Sequence, residues 1–216
     1  MSLLDLLTGN SSNQVAEQAE NKFGISKNQI IALLAVSAPL VISYLRNKTS
    51  NNANEAEALN NALDKDHDGS ILNDPSQALN RQDEGNSILD HVFGDNKAAV
   101  ENQLSANTGI SMDKIGPALA MLAPVIMGYI GQQKQQNNVG AGGLGDLLGG
   151  ILGGAQNQAQ DQSSSPLNSI LGSVLGGGSG SGNPLSDILG SVLGGGNQQQ
   201  SQQGGLGGLL GSLFGK

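Results

Sequence analysis

The stretch Gly24-Ile25-Ser26-Lys27-Asn28-Gln29-Ile30-Ile31-Ala32-Leu33-Leu34-Ala35-Val36-Ser37-Ala38-Pro39-Leu40-Val41-Ile42-Ser43-Tyr44-Leu45 returns 85 residues later. Its second form is Gly109-Ile110-Ser111-Met112-Asp113-Lys114-Ile115-Gly116-Pro117-Ala118-Leu119-Ala120-Met121-Leu122-Ala123-Pro124-Val125-Ile126-Met127-Gly128-Tyr129-Ile130. The alignment extends without a gap over residues 2–48 and 87–133. A gap-free match of this length implies a duplicated structural unit. The run from Ile30 is apolar on more than one face, as expected of a helix central to its domain. Ser26 and Ser111 have the chemistry of N-caps, and Gly24 and Gly109 that of helix stops. Pro39 is expected to kink the first long helix or split it, whereas Pro117 falls early in the second, where it is tolerated.

The expected fold is therefore all-α: two duplicated helical units packed as one pseudo-twofold domain. A polar helix, about 13–22, precedes the first apolar helix, and 96–106 precedes the second. Short apolar openings, Leu3–Leu7 and Ile88–Phe93, begin each unit. Ala35, Ala38, Ala120, Ala123 and Gly128 would let the two apolar helices approach closely. Pairing of each unit with a second chain is the alternative. The chain divides into unit 1 (1–48), an acidic linker (49–86), unit 2 (87–134) and a tail (135–216). In the linker, 55–63 reads as a helix with Ala56, Leu59 and Leu63 inward, and Asp74 as an N-cap before Pro75.

Composition limits the function. The net charge of −8 and the scattered basic residues exclude a phosphate-binding face, so no nucleic-acid partner is expected. The absence of Cys excludes disulfides, thiolate catalysis and Cys-ligated zinc. No Ser/His/Asp arrangement, phosphate loop or dinucleotide fingerprint is present, so no enzyme is expected. Residues 1–10 lack a basic start and carry Asp5 within the apolar run, which argues against a secretion signal and for a cytoplasmic protein. The uncharged runs 30–45 and 115–130 fall short of the roughly 20 residues of a spanning helix. Core helices are the first reading and membrane association the second.

One segment carries recognisable chemistry. Asp64-Lys65-Asp66-His67-Asp68-Gly69-Ser70-Ile71 matches the first eight positions of an EF-hand-type calcium loop. Asp64, Asp66 and Asp68 take positions 1, 3 and 5, Gly69 the sharp turn, and Ser70 the carbonyl position. Position 12 is Pro75, not the bidentate Glu, so Asp74 would have to substitute and any calcium site would be weak. The alternative is a solvated acidic turn. His67, at position 4, is expected to face solvent. His91 aligns with Leu6 and is expected to be partly buried, and neither histidine is expected to act as a catalyst or ligand.

The tail is rich in Gly, Gln, Ser and Leu. It repeats apolar residues at i, i+3, i+4, i+7 and i+8 in four segments beginning at Leu144, Leu167, Leu185 and Leu206. Helices of two turns are marginal alone, so they should order only by docking, onto their own chain, another copy or a protein partner. The bland alternative is a disordered tail. Leu3-Leu4-Asp5-Leu6-Leu7 resembles Leu144-Gly145-Asp146-Leu147-Leu148, which suggests competition for a shared groove.

Together, Ser2-Leu3-Leu4-Asp5-Leu6-Leu7-Thr8-Gly9, the 63–72 loop, Ile88–Gly94, Met121–Gly128 and the Gly/Leu-rich tail resemble the bacterial domain-of-unknown-function 937 (YidB-like) family over roughly residues 1–154. The resemblance implies an all-helical fold and a bacterial source. It implies no activity and no site residues.

Overall fold

The computed structural model describes Leu6 and residues 9–161, and among these it is all-α, with no strand. Helix α1 (Asn10–Phe23) ends at Gly24, whose left-handed φ of +62° lets its N–H reach the Glu20 carbonyl. Two residues on, Ser26 caps α2 (Lys27–Asn51) in a reciprocal capping box with Gln29. The later counterpart has the same backbone geometry but no capping box, since Ser111 makes no side-chain cap hydrogen bond. Helix α5 (Lys97–Thr108) closes on Gly109 at φ +68°, and Ser111 precedes α6 (Met112–Gln136) with the dihedrals of Ser26. Ile25 and Ile110, between glycine and serine, are each 2% exposed and pin the two turns to the core.

Both long helices have 25 residues and run unbroken through their prolines. Of the two outcomes expected at Pro39, a kink or a split, the split does not occur. One lost N–H bond is outweighed by burial on nearly every side: Leu33, Leu34, Ala38, Leu40, Val41 and Ile42 are 1% exposed or less. By length and composition α2 and α6 could each cross a membrane, but 72% and 83% of their apolar windows are buried inside this fold.

Helix α3 (Ala53–Lys65) starts at Asn52, whose side chain accepts from the Asn54 N–H, and buries Ala56, Leu59 and Leu63 as read from the sequence. Two 3-10 turns follow, Ser70–Leu72 and Pro75–Leu79, before α4 (Gln82–Phe93). Helix α4 begins six residues before the expected Ile88. Its early turn contains Gly85, a poor helix residue whose place is explained by packing: a Cβ there would overlap the Ala120 carbonyl of α6. Helix α4 is the most extensive partner of α6. Small residues on α6 therefore serve α4 and the linker. Ala120 faces Gly85, and Gly128 faces Ile71, where the sequence had suggested contact with α2. Helix α7 (Leu144–Asp161) is the first tail segment, and its most extensive partner is α2. The other three segments lie outside the described residues.

These close approaches make a prediction with an internal contrast. Alanine normally favours a helix over glycine by roughly 0.5–1 kcal/mol. Gly150→Ala, with open space around its Cβ, should gain about that much in urea unfolding. Gly85→Ala and Gly131→Ala, whose Cβ atoms would strike backbone oxygens, should each lose roughly 1–3 kcal/mol. Equal effects at the three sites would contradict the packing.

Candidate functional site

The acidic linker leaves α3 at Asp66 and turns at Gly69, which has a left-handed φ of +96°. It then lies on the C-terminal half of α6. The His67 carbonyl approaches Gly131, Gly69 sits against Gly128 and Gln132, and Ile71, 2% exposed, covers Gly128. Side chains on α6 at these places would push the loop away.

Of the five residues expected to hold a metal, Asp68 and Ser70 bond each other, while Asp64, Asp74 and the Asp66 carbonyl have partners elsewhere. Asp64 pairs with the Lys134 ammonium, whose side chain is 7% exposed, and its other oxygen accepts from Asn60 Nδ2 at 3.2 Å. The Asp66 carbonyl accepts from Arg81 Nη1 at 3.1 Å. Asp68 Oδ1 accepts from the Ser70 N–H at 2.9 Å, which holds its carboxyl below the usual carboxylate range. Asp74 stands at the cap position of the Pro75–Leu79 turn but makes no side-chain capping hydrogen bond. Its carboxylate accepts from the Ser76 hydroxyl and from Gln77 Nε2, which lower its pKa in that order. Among the described residues no group of three or more His, Cys, Asp or Glu side chains is arranged to hold a metal ion.

Both histidines differ from expectation. His67 points inward: its side chain is 5% exposed, and Nε2 lies 3.2 Å from Glu84 Oε1, which also faces Arg81 Nη1 at 3.5 Å. The solvent-facing rule for loop position 4 presumes a free loop, and here the loop is pressed onto α6. Burial pushes the His67 pKa down, against the opposing pull of Glu84. His91 is exposed on α4 and pairs with Glu55 Oε2 of α3 at 3.0 Å, although its aligned counterpart Leu6 is buried.

A second feature is the groove on α2 filled by α7. Leu144 and Leu148 are fully buried, with Leu147, Ile151 and Leu152 packed at the edge of the core. Two glycines make the fit: a Cβ at Gly145 would lie 3.0 Å from Ser50 Oγ, and one at Gly149 would lie 3.1 Å from Arg46 Nε. The reversal from α6 into α7 uses Asn138 at φ +50°, after which the Val139 N–H closes on the Lys134 carbonyl.

The profile of DUF937, described as a bacterial protein of unknown function, matches residues 5–133. The chain belongs to the DUF937 family. No curated protein and no solved structure matches it. In this DUF937 protein the matched stretch takes in helices α1 to α5, the acidic linker and nearly all of α6. Lys134 and the docked helix α7 lie just beyond it. The pairing of Lys134 with Asp64 joins residues 70 positions apart. The available sequence signal was a lone lysine at the end of an uncharged run, which by itself reads as a helix terminus.

Proposed function

We propose that this DUF937 protein is a non-enzymatic helical scaffold whose leucine-rich tail segments dock on the C-terminal half of α2 and so link one copy to another. The carrying observation is that the first of the four segments is seated there, with Leu144 and Leu148 fully buried. The features of that seat recur. Leu144 and Leu148 have counterparts in Leu167 and Leu171, Leu185 and Leu189, and Leu206 and Leu210. Gly149, which faces Arg46, has counterparts in Gly172, Gly190 and Gly211. The segment from Leu206 also keeps the other glycine, as Gly207. Within one chain α7 holds the groove through its short tether, by effective concentration. Each chain offers four such segments for one groove, so exchange between chains can propagate.

The same reading takes residues 2–48 and 87–133 as copies of one unit about a pseudo-twofold axis, supported by the matched N-cap dihedrals and lengths of α2 and α6. It is favoured over membrane insertion because the apolar windows of both helices are mostly buried against protein.

The chain has no Cys, so cross-linking can read the register. A Ser50→Cys/Gly145→Cys double variant should form an internal disulfide under mild oxidation. A mixture of a Ser50→Cys chain and a Gly207→Cys chain should give a covalent dimer faster than one made with Gly208→Cys, which corresponds to exposed Asp146. Internal cross-linking without this preference between chains would defeat the proposal.

A second reading concerns calcium at Asp64, Asp66, Asp68, Ser70 and Asp74. It is supported by the bend at Gly69 and the Asp68–Ser70 hydrogen bond, a turn of the kind a cation loop needs. A calcium ion reaching Asp64 must displace the Lys134 ammonium. Millimolar calcium, compared with chelator, should therefore raise the melting temperature of Lys134→Met by more than that of the unsubstituted protein, and Asp66→Ala should abolish the rise. No rise in either background removes calcium from the account.

A further inference from the structure

Lys134 stands where the core helix α6 gives way to the docked tail segment. Its carbonyl accepts the Val139 N–H at 3.0 Å, and the Asn138 N–H donates to the Gln135 carbonyl at 3.2 Å. Those two bonds form a Schellman stop, with Asn138 in the left-handed position at φ +50°. Glycine is the usual residue there, because a side chain makes this conformation more costly. The reversal therefore gains from support outside its own sequence. The Lys134 side chain supplies that support: its ammonium is buried and pairs with Asp64 near the end of α3. A buried charge depends on its partner, since leaving it unpaired is strongly destabilising.

Beyond the reversal the chain follows α3. The 3-10 turn Ala141–Gly143 packs against that helix, and α7 then enters the groove on α2. Only residues 137–143 separate α6 from α7. A short tether gives a segment a high effective concentration for a groove within its reach, and the direction in which it leaves α6 decides which groove that is. We propose that Lys134 is a positioning residue: its ion pair with Asp64 fixes the exit of the chain from α6 and so keeps α7 in the groove of its own copy. Loss of the pair frees the reversal, and α7 leaves its groove more often. What then enters the vacated groove rests on the proposed exchange of segments between copies.

Native-state hydrogen exchange of the full chain tests this. The amides of Leu148, Ile151 and Leu152 report on α7, and those of Leu104 and Ser105 on α5, a helix that takes no part in the reversal. Lys134→Met, which keeps the apolar stem, and Asp64→Asn should each raise the opening constant of α7 roughly tenfold, the worth of a hydrogen bond to a charged group, with a much smaller change in α5. The double variant should add little to either single one, because both remove the same contact. Asp64→Glu, which keeps the carboxylate, should leave α7 protected. In the cross-linking mixture, Lys134→Met placed in the Ser50→Cys chain should speed the covalent dimer with the Gly207→Cys chain by a similar factor. An α7 opening constant unchanged by Asp64→Asn, or raised by the same factor as that of α5, overturns the proposal, and so does equal loosening by Asp64→Glu and Asp64→Asn. Asp64 is half-exposed, so that comparison stands even if Lys134→Met does not fold. Loosening of α7 with no covalent dimer in either background upholds the role of Lys134 and defeats exchange between copies.

Discussion

The structure depends on how little side chain α6 presents along part of its surface. At Ala120, Gly128 and Gly131 other segments come within backbone distance of the helix: α4 through Gly85, and the linker through Ile71 and the His67 carbonyl. Close packing leaves no tolerance for even one added carbon at such points. Once the linker is seated, the rest of its geometry is constrained. Asp64 is brought to Lys134, and His67 is turned inward to Glu84. The polar cluster is a consequence of backbone contact, with its charges arranged around a position already set by glycines.

The two long helices solve the same covering problem in opposite ways. On α6, Gly131 supplies the room and the linker backbone approaches it. The aligned position on α2 is Arg46, a long side chain, and there the room comes from the incoming segment, as Gly149 of α7. The C-terminal half of α6 is thus closed by a fixed linker, while that of α2 is closed by a segment whose pattern recurs three more times along the chain. A covering element available in multiple copies can be exchanged without altering the helix it covers. That asymmetry is why the proposed function rests on α2.

Where local chemistry decides an element, the sequence could be read directly. Gly24 and Ser26, with Gly109 and Ser111, marked the helix boundaries because a left-handed stop and an N-cap are properties of a few adjacent residues. Ala56, Leu59 and Leu63 showed their inward face by spacing alone. The misreadings share a cause. Gly85 looked like linker because its place in a helix is justified only by Ala120 of α6, 35 positions away. His67 was assigned to solvent by analogy with a free loop, whereas its carbonyl lies against Gly131 and its buried side chain faces Glu84. The calcium reading of the aspartates is a separate matter: it rests on their closeness in sequence, and the fold adds Lys134 as the partner of Asp64. Docking of the tail segments was one of two readings of the sequence, and that the first of them, α7, packs on α2 required the fold.

The central claim is that α6 is the axis against which α4 and the acidic linker are pressed. Native-state hydrogen exchange tests it most directly. The amides of residues 119–130, other than Pro124, should exchange only through global unfolding, with an opening free energy equal to that from denaturant titration and falling with added denaturant at the full global slope. Exchange of those amides through smaller openings, at or below the opening energies of α3 and α5, would contradict it.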